Sequence, residues 1–99
     1  MARFDVYARA GEPGYLLDVQ ANVLSQLNTR VVVPLLPLSL APGAAARLNP
    51  GFEIQGVAVS MVTQFMAAVP AAELKVHAAN LDQHSAAILD AIDFLHQGW

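Results

Sequence analysis

Apolar and polar residues alternate from Arg3 to Arg9, with Phe4, Val6 and Ala8 on one side and Arg3, Asp5, Tyr7 and Arg9 on the other. A period of two predicts a half-buried strand. Gly11-Glu12-Pro13-Gly14 supplies a tight connection, because glycine reaches positive φ freely and proline presets its own. Tyr15–Gln20 then reads as a second strand, antiparallel to the first. Beyond Asn28-Thr29, the β-branched run Arg30-Val31-Val32-Val33 predicts a central strand. Pro34 has no amide hydrogen, so it belongs at a strand end, a bulge or an edge. Prolines 37, 42 and 50 with Gly43 and Gly51 mark 37–51 as a long irregular connection, with one weak helical turn near Ala44–Ala46. Phe52–Gln55 and Val57–Phe65 predict two strands joined at Gly56, and Ala71–Val76 a short sixth strand after Pro70.

From Leu81 to Gln97 the pattern changes to the helical period, with neither Gly nor Pro. Asn80 and Gln83 offer an N-cap pair, Asp82 lies in the first turn, and Gly98 stops the helix. At 100° per residue, Leu81, His84, Ile88, Ala91, Ile92 and Leu95 form the stripe that faces the sheet. Asp82, Ala86, Asp90, Asp93 and Gln97 lie opposite, toward water or a partner. Strands followed by one C-terminal helix predict an α+β fold with an antiparallel sheet.

The chain of 99 residues is the size of one domain, spanning 1–99. Apolar residues make up 56% of it and charged ones 13%, against about 25% charged in an average soluble domain. Disorder is excluded by that balance. So thin a charged coat also points to surface covered by a partner, and Val57-Ala58-Val59 with Met61-Val62 supply apolar segments for a homodimer. A net charge of −3, with five scattered cations, argues against direct nucleic-acid binding. There is no cysteine, and the longest apolar run, Val31–Leu38, is far short of the roughly 20 residues a membrane span needs. No signal-peptide core opens the chain. These features point to a soluble, cytoplasmic protein.

Candidate chemistry is sparse. His77, His84 and His96 have no metal-ligand spacing, no serine sits in a nucleophile elbow, and Asp90 with Asp93 reads as a solvated helix face. No catalytic residue, metal site or cofactor is expected. Trp99 stands apart, since a terminal indole suits a binding hot spot or a fold-back onto the protein.

Phe4-Asp5-Val6-Tyr7, Leu17-Asp18-Val19-Gln20, Arg30-Val31-Val32-Val33-Pro34-Leu35, Leu48-Asn49-Pro50, Ala67-Ala68-Val69-Pro70 and Ala91-Ile92 follow one another in an order that resembles the CcdB family of toxins from toxin–antitoxin modules. The resemblance covers nearly the whole chain. It implies a five-stranded antiparallel sheet of SH3-like barrel type, a smaller sheet, a long C-terminal helix and a homodimer. It also implies a protein that is not an enzyme: one that traps cleaved DNA on DNA gyrase through the gyrase A subunit and is extracted by a disordered segment of a CcdA-like antitoxin. By position, the gyrase-contacting residues fall on Val23, Leu24, Ser25, Ser85, Ala86, Leu89, Asp90, Asp93, Gln97, Gly98 and Trp99. Arg9 and Arg47 are the cations expected to meet an acidic antitoxin, in a groove beside the Gly11–Gly14 and Pro42–Arg47 loops. Two departures stand out. The family ends Trp-Gly-Ile where this chain ends Gln97-Gly98-Trp99, and Asp93 replaces a neutral amide. They leave a second reading, a CcdB-like binding module with another target or without gyrase poisoning. A ribonuclease on a related barrel, the third, would need cations that this chain lacks.

Overall fold

The structure, a computed structural model, describes residues 1–98. Seven strands precede the helix: β1 (Asp5–Ala8), β2 (Tyr15–Asp18), β3 (Thr29–Pro37), β4 (Gly51–Ile54), β5 (Val57–Met61), β6 (Ala67–Pro70) and β7 (His77–Asn80), then α1 (Ser85–Gln97). Short 3-10 turns occupy Asn22–Leu24, Thr63–Phe65, Ala71–Glu73 and Asp82–His84. The strands form one antiparallel sheet in the order β4-β5-β3-β2-β1-β7, with β6 also on β3.

The nine residues of β3 make it the spine. One edge pairs with β2, while the other is shared: Leu35–Pro37 pair with β5 and Thr29–Val32 with β6. The separate smaller sheet expected from the resemblance is therefore continuous with the larger one through β3. Pro34 sits where the shared edge changes partner. Its carbonyl accepts from the Val62 N–H at 2.9 Å, and its missing N–H costs no ladder bond because neither strand reaches it.

Two predicted elements are corrected. The strand expected over Val57–Phe65 stops at Met61, because Thr63–Phe65 turns to carry the chain from β5 to β6 along the same edge of β3. Ala71–Val76 is not a strand. It crosses the sheet's second face and buries Leu74 against Tyr7 and Val32, and the last strand is His77–Asn80 instead.

At the β4–β5 tip, Gln55 and Gly56 both have positive φ (52° and 81°), the geometry of a tight hairpin turn. Gln55 reaches the Tyr15 hydroxyl and the Ala78 carbonyl, so the tip leans over β2 and β7. The sheet thus curls into a half-barrel. Its inner side packs Val6, Leu17, Val33, Leu35, Ile54, Val59 and Met61 around Ile88 and Ala91 of α1. Burying one such aliphatic side chain contributes about 1.5–3 kcal/mol, so this contact rather than helix propensity holds α1 in place.

The helical stripe holds only in part. Leu81, Ile88 and Ala91 are buried and Ile92 half-buried, but His84 and Leu95 are exposed. Asp82–His84 winds as a 3-10 turn, so the 100° register begins at Ser85, and the His84 ring lies tilted against Phe52 with centroids 5.2 Å apart, outside the core. The expected cap is single. Asn80 Oδ1 accepts the Asp82 N–H at 2.8 Å, with no return bond from Gln83 among the described residues. Gly98 closes the helix at φ 79°, its N–H on the Phe94 carbonyl.

No charged residue occurs from Ile54 to Ala72, a stretch that supplies β5 and β6. Ala71 donates to the Asn28 carbonyl, so by alternation the nitrogen of Pro70 faces the free edge of β6. An edge without that N–H is a poor template for another strand. No helix of the described residues is long and apolar enough to cross a membrane.

Candidate protein-binding face on the helix

The turn that carries Val23, Leu24 and Ser25 is positioned by a buried polar network. Arg30 is fully buried, with Nε and Nη2 at 2.8 and 2.6 Å from Asp18 Oδ2. The other Asp18 oxygen accepts the Gln20 N–H. Gln20 in turn accepts the Val31 N–H and donates to the Leu24 carbonyl at 3.0 Å. A second link ties the turn to the N-terminus, where Asn22 Oδ1 accepts the Arg3 N–H. Val23, Leu24 and Leu27 are thereby held exposed, Val23 at 78%.

On α1 the outward face read from periodicity is exposed, while two of the residues placed there by the resemblance are not. Ala86, Asp90, Asp93, Gln97 and Gly98 are exposed, whereas Ser85 and Leu89 are half-buried, Leu89 against the core. Trp99 lies outside the described residues. The hydrogen bonds of the 22–24 turn go to Gln20 and Arg3 rather than to α1, so the two halves of the expected gyrase surface are supported separately.

Arg47 and Asp90, expected to serve different partners, meet each other. Arg47 Nε and Nη2 donate to the two Asp90 oxygens at 2.9 and 3.0 Å, and the guanidinium lies 4.8 Å from the Phe94 ring centroid. The hydrogen bonds between them raise the Arg47 pKa and hold the Asp90 carboxyl below its ordinary value. Sequence reasoning missed this pair, since 43 residues separate the partners.

Arg9 is engaged too, with Glu12 at 3.0 Å and the Pro13 carbonyl at 3.1 Å. It lines an open cleft of about 550 Å³ with Glu12, Leu16, Glu73 and Lys75, beside the β1–β2 loop. No residue of 42–47 lines that cleft, so the two arginines do not share one groove among the described residues.

The histidines lie apart. His77 Nε2 is 3.0 Å from Asp5 Oδ1, His84 lies tilted against Phe52, and His96 is exposed in the last helical turn. Among the described residues, no group of three or more His, Asp or Glu side chains is placed to hold a metal ion. The apolar segments proposed for dimerisation are mostly consumed by the core: Val59, Met61 and Val62 are buried, leaving Val57 and Ala58 exposed. Leu38, Leu40, Phe65 and Val76 are exposed instead.

The family model of the CcdB protein matches residues 3–98. The chain belongs to the CcdB family. A CcdB-family chain is the toxin of a toxin–antitoxin pair, and in this member one C-terminal helix packs into the half-barrel and leaves its outer face exposed. No curated protein matches the chain.

Proposed function

We propose that this CcdB-family chain acts as a homodimeric, non-enzymatic gyrase poison in the cytoplasm. It binds the DNA gyrase A subunit through the outer face and end of α1 and through the Val23–Ser25 turn. A CcdA-like antitoxin neutralises it. The family match over 3–98 carries this reading. It is supported by the exposure of Ala86, Asp90, Asp93 and Gln97, because a contact face must not be a core face. The contact residues are Val23, Leu24, Ser25, Ser85, Ala86, Leu89, Asp90, Asp93, Gln97, Gly98 and Trp99. The antitoxin is an acidic, amphipathic segment that meets Arg9 at the cleft and Arg47 at the helix.

The test is expression in a gyrase-bearing host. Growth arrest with DNA damage is expected, relieved by an altered gyrase A subunit and by an upstream partner gene with an acidic tail. Gln97 offers no aromatic face, so Trp99 supplies the stacking. A hot-spot indole is typically worth about 2 kcal/mol or more, roughly thirtyfold in affinity. Trp99→Ala should therefore abolish arrest without lowering the melting temperature. Full toxicity of that variant rejects the helix-end mechanism. The order Gln97-Gly98-Trp99, with no aromatic residue before the glycine, and the charge of Asp93 favour one rival, a binding module with another target. A wild-type protein that never arrests growth selects it.

A further inference from the structure

Arg47 stands on a fixed base. Asn49, two residues on, is buried. Its Nδ2 donates to the Met61 carbonyl at 3.0 Å and to Gln64 Oε1 at 2.8 Å, while its Oδ1 accepts the Ala45 N–H. Its own N–H closes the turn on the Ala45 carbonyl at 2.7 Å. The backbone at Arg47 is therefore anchored, and only its long side chain is free to choose an acceptor. That chain is the single charge between Pro37 and Pro50.

In the free protein it chooses Asp90, over the Phe94 ring. The arrangement is open to solvent, with the two side chains 43% and 52% exposed. Asp90 takes up Nε and Nη2, so Nη1 is the point at which an arriving acid first engages before it competes for the other two nitrogens. An exposed ion pair and an exposed cation–π contact are each weak, together holding the closed arrangement by roughly tenfold. A partner carboxylate faces a barrier of that size and no larger.

We infer that Asp90 is an internal competitor for Arg47. An acidic partner segment docks by displacing the Asp90 carboxylate from the guanidinium, and Arg47 swings from helix to partner while its backbone stays put. The identity of that segment as an antitoxin's rests on the toxin–antitoxin reading. The exchange itself rests on the side chains. Its consequence has a definite sign: removing Asp90 strengthens acidic-segment binding, although Asp90 carries the wrong charge to be a contact for it. Displacement also leaves Asp90 and Asp93 without their cation, so occupation of Arg47 makes the outer helix face more negative.

The experiment titrates a synthetic oligoglutamate peptide into the full chain by calorimetry at low salt. The proteins are wild type, Asp90→Asn, Arg47→Gln and the double variant. Asp82→Asn, at an exposed position before α1, controls for the same change in net charge. Asp90→Asn should tighten binding up to about fivefold, the strength of the ion pair it removes, since the Phe94 contact stays. Asp82→Asn should change it less than Asp90→Asn does, and Asp90→Asn should give no comparable gain in the Arg47→Gln background. Weaker binding by Asp90→Asn, equal tightening by Asp82→Asn, persistence of the gain without Arg47, or no binding by either wild type or Asp90→Asn overturns the inference. Failure of the toxin–antitoxin reading shows elsewhere, as absent growth arrest or absent neutralisation. Intact neutralisation with no gain from Asp90→Asn removes the exchange alone.

Discussion

At the residue scale, the Asp18–Arg30 pair sets the sharpest expectations. Both side chains are fully buried, and Arg30 Nη1 has no hydrogen-bond partner among the described residues. Removing the carboxylate strands a charge in the interior, which costs about 3–5 kcal/mol, whereas replacing both partners by apolar residues of similar size costs less. Urea unfolding of Asp18→Ala should show that loss, and Asp18→Leu with Arg30→Met should recover part of it. A second residue-scale effect is electrostatic. Burial pushes the Asp5 carboxyl up, but hydrogen bonds from Asn80, the Ala2 N–H and His77 outweigh it and hold the group below its ordinary 3.8. A carboxyl depressed in the folded state stabilises fully above its unfolded pKa and loses that contribution as acid titrates it. Melting temperatures should therefore fall below about pH 4 in wild type, with a flatter acid limb in Asp5→Asn.

At the scale of elements, α1 separates folding from binding. Ile88 is fully buried and Ile92 only half-buried, so Ile88→Ala should cost about 2–5 kcal/mol and Ile92→Ala less. Thermal melts of the two variants check the order. The outward helix face and the first two strands are legible in the sequence, because the 3.6-residue period marks the one and the alternation of Arg3–Arg9 with the Gly11–Gly14 turn marks the other. What misled lies at junctions. Val57–Phe65 reads as one apolar run, yet β3 needs its second edge filled by two strands, so the chain turns at Thr63. Likewise His84 fits the stripe by arithmetic, but a 3-10 turn resets the angle before α1 begins. The polar members of the family-like pieces, Asp18, Gln20, Arg30 and Asn49, have no role that periodicity or spacing assigns. They are the buried hydrogen-bonding groups that position the Val23 turn and the base of Arg47. Long-range pairs of this kind leave no periodic trace, which is also why the Arg47–Asp90 contact was invisible.

At the scale of the whole molecule, the proposed homodimer keeps only Val57 and Ala58 of its first apolar segments and draws the rest of its surface from elsewhere. Val57, Phe65, Val76, the Val23–Leu27 turn and Leu38 with Leu40 are among the exposed apolar residues that remain. Light scattering at micromolar concentration should give twice the chain's 10.5 kDa. A mass near one chain rejects the dimer.

The uncharged stretch from Ile54 to Ala72 acts most when the protein is not folded. In the native sheet it is paired through β5 and β6, and Pro70 blunts the outermost edge. Unfolded, it is a long segment rich in β-branched and small residues with no gatekeeping charge until Glu73, the composition that self-associates. Weakened variants of this protein will therefore leave solution as aggregates rather than persist as free unfolded chains. Their soluble yield in the cell becomes a readout of fold stability. A loss of toxicity must be matched with the amount of soluble protein before it is assigned to the binding face.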